Sequence, residues 1–198
     1  MQLTRDGTGG LPTGISPDGT QIVFFQSVNA GRGPDLMVLD RMPLKAPRLL
    51  LQTPLEERDA IISPDGRWMA SYSNISGEFQ IYVRPFPNVD GGQWQISTEG
   101  GRWPLWSRSG EELFYVVPGQ NATVISVPVD TRNGAWNAGP PRKLFECGCF
   151  TGGFGRSYDI APDDQRFLMV KQLASDDENS PQIVVVRNWV EELKRLVN

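Results

Sequence analysis

A four-residue turn signature recurs along the chain, always between the same two kinds of segment. Ser16-Pro17-Asp18-Gly19 and Ser63-Pro64-Asp65-Gly66 carry it in full. Ser107-Arg108-Ser109-Gly110 and Ala161-Pro162-Asp163-Asp164 are degenerate copies. Their first residues lie 47, 44 and 54 positions apart. The signature has a mechanical cause: proline fixes φ at the first central position of a turn, the aspartate bonds back to nearby amides, and glycine accepts positive φ. A short apolar segment precedes each copy, at 11–15, 60–62, 103–106 and 158–160. A second follows it, at 22–25, 68–72, 113–117 and 167–170. These runs are rich in β-branched and aromatic residues and too short for independent helices. A third strand is predicted at 36–39, 80–83, 124–127 and 183–186. A fourth is predicted at 48–51, 94–97 and 142–145.

Four strands in a period of about 40–50 residues make one blade of a β-propeller. The sequence therefore predicts an all-β fold: a β-propeller segment of four four-stranded blades with a short C-terminal helix. The blades are placed at about 11–51, 59–97, 102–145 and 155–187, and the helix at 188–197. The core is expected from the second and third strands: Val23, Phe24, Met37, Leu39, Met69, Ile81, Val83, Phe114, Val116, Ile125, Val127, Leu168, Val184 and Val186. In the helix, Asn188 stands where a cap is needed with Glu191 three residues on, and Trp189, Leu193 and Leu196 share one face. The segment Gln2-Leu3-Thr4 matches the outer-strand segment Gln95-Ile96-Ser97. It either completes the last blade and closes a small ring, or belongs to a preceding blade of a larger propeller. The second reading, a fragment of a larger protein, is preferred; open blade edges then favour self-association.

The repeats resemble the WD-like β-propeller repeat of the TolB type. Ser63-Pro64-Asp65-Gly66-Arg67-Trp68 and Ser16-Pro17-Asp18-Gly19-Thr20 carry its signature, and Pro104-Leu105-Trp106-Ser107 carries its lead-in. The resemblance covers nearly the whole chain. The segment from Gln182 to Arg195 resembles the end of bacterial propeller regions, some of which lie downstream of a membrane-anchored Ser/Thr kinase domain. These resemblances imply the C-terminal part of a longer sensor or scaffold protein, in a periplasmic or extracytoplasmic setting.

Composition removes several kinds of chemistry. The 198 residues contain no histidine, so neither a Ser-His-Asp nor a Cys-His site can be completed within the chain. The net charge of −4, with no long basic run, argues against a nucleic-acid partner, whose phosphates demand a cationic surface. No apolar stretch is long enough to span a bilayer. Cys147 and Cys149 are separated by one residue; they read chiefly as two turn or strand-end thiols, with a redox or metal role as the alternative. The Gly-rich stretch 148–155 lacks the Lys-Ser/Thr of a phosphate loop and reads as a connection between blades. Asp176, Asp177 and Glu178 read as a solvated loop, with weak calcium binding as the sharper alternative.

The functional reading is a non-catalytic recognition or scaffold module, with no cofactor, binding a protein or small ligand through blade loops. The alternative is an accessory sensor or gating domain of a multidomain enzyme, such as a Ser/Thr kinase or a propeller-containing hydrolase. Candidate contacts are the large or charged residues where inner strands begin: Arg102 and Trp103, Arg156 and Tyr158, and Glu57 and Arg58. For each, ordinary packing or a solvated surface is the plain alternative.

Overall fold

The computed structural model describes residues 9–27, 33–153, 155–171 and, by their backbone, 183–186. Gln2-Leu3-Thr4, the helix at 188–197 and the acidic loop at 176–178 lie outside the described residues.

Four antiparallel sheets follow one another along the chain in a propeller-like arrangement. The first runs in order through β1 (Leu11–Ile15), β2 (Gln21–Gln26), β3 (Asp35–Asp40) and β4 (Arg48–Leu51). The second repeats this order with β5 (Glu57–Ile62), β6 (Trp68–Ser73), β7 (Gln80–Pro85) and β8 (Trp94–Gln95). The third contains β9 (Arg102–Trp106), β10 (Glu112–Val117), β11 (Ala122–Asp130), β12 (Asn137–Ala138) and β13 (Arg142–Cys147). Its β11 is long enough to pair with both β12 and β13, an addition the repeat did not announce. The fourth has β14 (Tyr158–Ile160), β15 (Phe167–Val170) and β16 (Ile183–Val186) among the described residues.

The turn joining the first two strands of each sheet explains its own sequence. In the second sheet Ser63 Oγ donates to Asp65 Oδ1 at 2.5 Å and accepts from the Trp68 amide at 3.0 Å. Asp65 Oδ1 also takes the Arg67 amide at 3.1 Å. The first sheet repeats these bonds with Ser16, Asp18, Thr20 and Gln21. Gly19, Gly66 and Gly110 occupy the left-handed region, at φ 70°, 74° and 76°. Asp164 takes the same position in the fourth turn at φ 55°.

Successive turns also touch one another. Gly66 lies against the ring of Pro17, and Gly110 against that of Pro64. At the last step both partners change. Arg108 stands in place of the proline, and Asp164 in place of the glycine. The Arg108 amide donates to Asp164 Oδ1 at 2.7 Å, and the Ser109 amide to Oδ2 at 3.0 Å. Proline has no N–H to give, so this contact requires the loss of Pro at 108. The third turn has a serine where the others have an aspartate, and it takes its carboxylate from the neighbouring sheet.

Sheets pack face to face through their second strands. Val23 and Phe25 of β2 cluster with Met69 of β6, and Ala70 and Tyr72 with Leu113 and Tyr115 of β10. The Phe114 and Phe167 rings meet edge to face at 5.1 Å. One face of each second strand is thus covered by the opposite face of the next. Trp136, between β11 and β12, fits among Trp68, Trp94 and Trp106 at centroid distances of 5.3, 6.3 and 6.0 Å, joining the second and third sheets.

Most of the expected core is buried, with exceptions that follow from position. Met37 and Ile125 are half-buried. Leu168 is 47% exposed, because it faces away from the third sheet on the far side of the fourth. The side chains of Val184 and Val186 lie outside the described residues. The fourth strand of the second sheet is only two residues long. The Ser97 hydroxyl takes the Ile81 amide at 2.8 Å and donates to Gln80 Oε1 at 2.5 Å, so a side chain stands in for the ladder there. Cys147 and Cys149 form a disulfide rather than the two thiols expected from their spacing. Their Cα atoms are 4.9 Å apart, within the ordinary range for a bridge.

Two outcomes check this account. Phe167→Ala empties a fully buried ring site and is expected to cost about 3–5 kcal/mol in urea unfolding. Asp164→Gly removes the positive-φ strain and both accepted hydrogen bonds together. A net loss of about 1 kcal/mol is expected, and a gain would mean that the strain outweighs the bonds.

Candidate functional site

The inner strands β1, β5 and β9 carry a shared irregularity. The register of β5 on β6 shifts between Arg58 and Ile61, and that of β9 on β10 shifts across Trp103 and Pro104. In β1 the shift falls between Pro12 and Gly14. Such bulges re-aim side chains. Asp59 and Trp103 occupy the same repeat position and both adopt positive φ, 47° and 54°. A non-glycine residue in this region costs about 1–3 kcal/mol and persists only where its surroundings hold it. Here the inner strands hold each other: Thr13 Oγ1 donates to Ala60 O at 2.7 Å.

The inner strands open onto two adjoining clefts. One, of about 420 Å³, is lined by Leu11, Pro12, Thr13, Asp59, Ile61, Gly155 and Arg156. The other, of about 380 Å³, reaches from Thr13 and Ile61 to the turn prolines Pro17 and Pro64, to Trp106 and Arg108, and again to Arg156. Both volumes lie in the range usual for ligand sites.

Asp59 gives the first cleft its chemistry. The residue is 4% exposed, and its Oδ2 has no hydrogen-bond partner. Burial pushes its carboxyl up to about 6 from an ordinary 3.8; the Tyr72 hydroxyl, which donates to it, and the charges of Arg156 and Arg58 work the other way. Arg156 is held in place by Nε donating to Tyr158 O at 3.0 Å and Nη1 donating to Pro104 O at 3.4 Å. It ties the fourth sheet to the third and brings a cation to a cleft that contains a buried acid.

The other residues singled out in the sequence fall in different places. Tyr158 is buried, and its hydroxyl donates to Trp103 O at 2.7 Å across the seam between the third and fourth sheets. Burial raises its pKa. Trp103 is buried beside it. Glu57 is buried in β5, where Oε1 accepts from Thr53 at 2.8 Å and Ser73 at 3.0 Å. Burial raises its pKa. Arg58 pairs with Glu56 at 2.9 Å and lies over the Phe25 ring. Arg102 lies 4.4 Å over the Phe79 ring. Of the six, Arg156 alone lines the two clefts. Asp59 and Thr13 were not singled out. The sequence places Asp59 at the end of the charged run Glu56-Glu57-Arg58-Asp59, directly before Ala60-Ile61-Ile62, and nothing local separates it from its charged neighbours. Among the described residues no group of three or more His, Cys, Asp or Glu is placed to hold a metal ion. No helix among them is long and apolar enough to cross a membrane.

No protein-family model matches the chain, and no curated protein does. Solved structures do. TolB from Acinetobacter baumannii superposes with a TM-score of 0.70 at 20% identity, covering 94% of this chain and 42% of that one. The chain shares the TolB propeller fold. A putative TolB from Agrobacterium tumefaciens matches at TM-score 0.58 and 22% identity, over 73% of this chain and 52% of that one. An oligogalacturonate lyase in complex with manganese matches at TM-score 0.65 and 15% identity, over 95% and 53%. The chain therefore spans about half the length of these structures.

A pH titration tests the Asp59 environment. With the folded-state pKa raised, the native state holds its proton where the unfolded state has lost it. Stability is therefore expected to fall as pH rises from about 4 to about 6 and then to level off, by about 1–3 kcal/mol. Asp59→Asn is expected to flatten that part of the pH profile in denaturant melts.

Proposed function

We propose that the chain is a non-catalytic recognition module that takes a protein segment or small ligand on the inner-strand side, at the clefts between Thr13, Asp59 and Arg156. The observation that carries this reading is the buried Asp59 oxygen without a partner, on the wall of a cleft of about 420 Å³. A buried acceptor left unmade is costly, and a ligand N–H or ammonium group relieves it. Arg156 supplies donors for a carbonyl or carboxylate on the same ligand. A peptide offers both kinds of group along one backbone. The TolB likeness supports a binding role by analogy of fold, and with it a periplasmic or extracytoplasmic setting.

The second reading is an accessory sensor or gating module of a larger enzyme. The two readings share a site and differ in what the bound ligand controls.

An array of immobilised random hexapeptides tests the site. The wild-type chain is expected to be retained by a subset of peptides, and Asp59→Asn and Arg156→Ala to lower that retention at least tenfold. Retention unchanged in both variants, or none by the wild type, would overturn the proposal.

A further inference from the structure

The acid on the wall of the first cleft carries a charge that its surroundings match only in part. Asp59 is buried, and its Oδ2 accepts no hydrogen bond. Three groups act on it: the Tyr72 hydroxyl from β6, the Arg58 guanidinium from its own strand and the Arg156 guanidinium from the segment before β14. Tyr72 donates to the carboxyl, yet not at Oδ2. Arg58 pairs with Glu56 at 2.9 Å, and Arg156 donates to Tyr158 O at 3.0 Å and Pro104 O at 3.4 Å. Glu57, two residues away in the same strand, shows the contrast: the hydroxyls of Thr53 and Ser73 both donate to its Oε1. The Asp59 carboxyl, raised to about 6, still loses its proton by neutral pH. A buried carboxylate costs far more than a buried amide, and a directly paired cation is what offsets it. Such a cation has one way in, from the cleft.

The cleft offers two more partners to whatever meets Asp59. Arg156 lines the same space. Thr13, Ile61 and Arg156 line the second cleft as well, so the two spaces adjoin. The second is walled by Ile15, Pro17, Ile62, Pro64, Leu105 and Trp106, a largely apolar surface. Resting on the cleft as the recognition site, we propose that its ligand is the free amino terminus of a peptide whose first residue is apolar. The α-ammonium pairs with Asp59, the first carbonyl oxygen accepts from Arg156, and the first side chain enters the second cleft. An α-ammonium is one carbon away from both its side chain and its carbonyl group, so a single residue serves all three partners. A lysine ammonium stands on a four-carbon stem and meets Asp59 alone. An internal segment brings only neutral amides, whose hydrogen bonds are about half as strong as charge-assisted ones.

Fluorescence anisotropy with hexapeptides labelled at the carboxyl terminus gives the test at neutral pH. A peptide that begins with a free leucine is expected to bind about tenfold more tightly than the same peptide acetylated at its amino terminus. It is also expected to bind about tenfold more tightly than one that begins with a free glycine. Acetylation changes only the ligand, so this comparison does not depend on how a variant folds. In Asp59→Asn the free and acetylated peptides are expected to bind alike. Equal binding of the two by the wild type would overturn the proposal and leave the recognition cleft standing. So would equal binding of the leucine and glycine peptides, or an acetylated peptide with an internal lysine that binds as tightly as the free leucine peptide. Binding to none of the peptides would overturn the cleft and its ligand together.

Discussion

A sheet of this molecule with a neighbour on either side buries both faces, and one strand per sheet bears most of that demand. The second strand sits in the middle of the apolar layer. Its alternate residues point to the sheet before and the sheet after, so no sheet makes a core by itself. Phe114 at one seam and Met69 at another are fully buried only because neighbours exist. The twist of the strands and the closeness of the inner strands, where Thr13 bonds Ala60, then set the angle from one sheet to the next. The clefts at the inner side are what such stacking leaves where inner strands converge.

The positive-φ residues take their meaning from this packing. The bulge at Asp59 and Trp103 is the same backbone device used twice with different side chains. At 103 it holds a buried tryptophan whose backbone carbonyl accepts from the Tyr158 hydroxyl across the seam between the third and fourth sheets. At 59 it sets a carboxylate against a cleft. A scaffold of repeated geometry becomes a site by changing one side chain at one bulge, with the strain held by the surrounding strands.

The strand order, the turns and most of the core were legible in the sequence because they follow from period and local chemistry. Ser-Pro-Asp-Gly has one efficient use, and alternation marks the strands beside it. What escaped depends on contacts between repeats. Trp136 lies in a loop by every local measure, and only the meeting of two sheets half-buries it among three other tryptophans. Leu168 looks like core by its alternation, and only the absence of a covering sheet among the described residues exposes it. Arg156 was reached because it is a large charged residue at the start of an inner strand. Asp59 was missed because no local rule gives an aspartate a bulge.

The Arg108–Asp164 contact has a consequence for how such a chain can change by copying its own parts. As far as this turn contact goes, repeats that keep proline and glycine are interchangeable. The third and fourth are not. Arg108 brings an amide that only a neighbour with an acid can use, and Asp164 brings an acid that a proline-bearing neighbour leaves idle. A recombination point between these two modules would separate the partners, while one on either side of the pair would not.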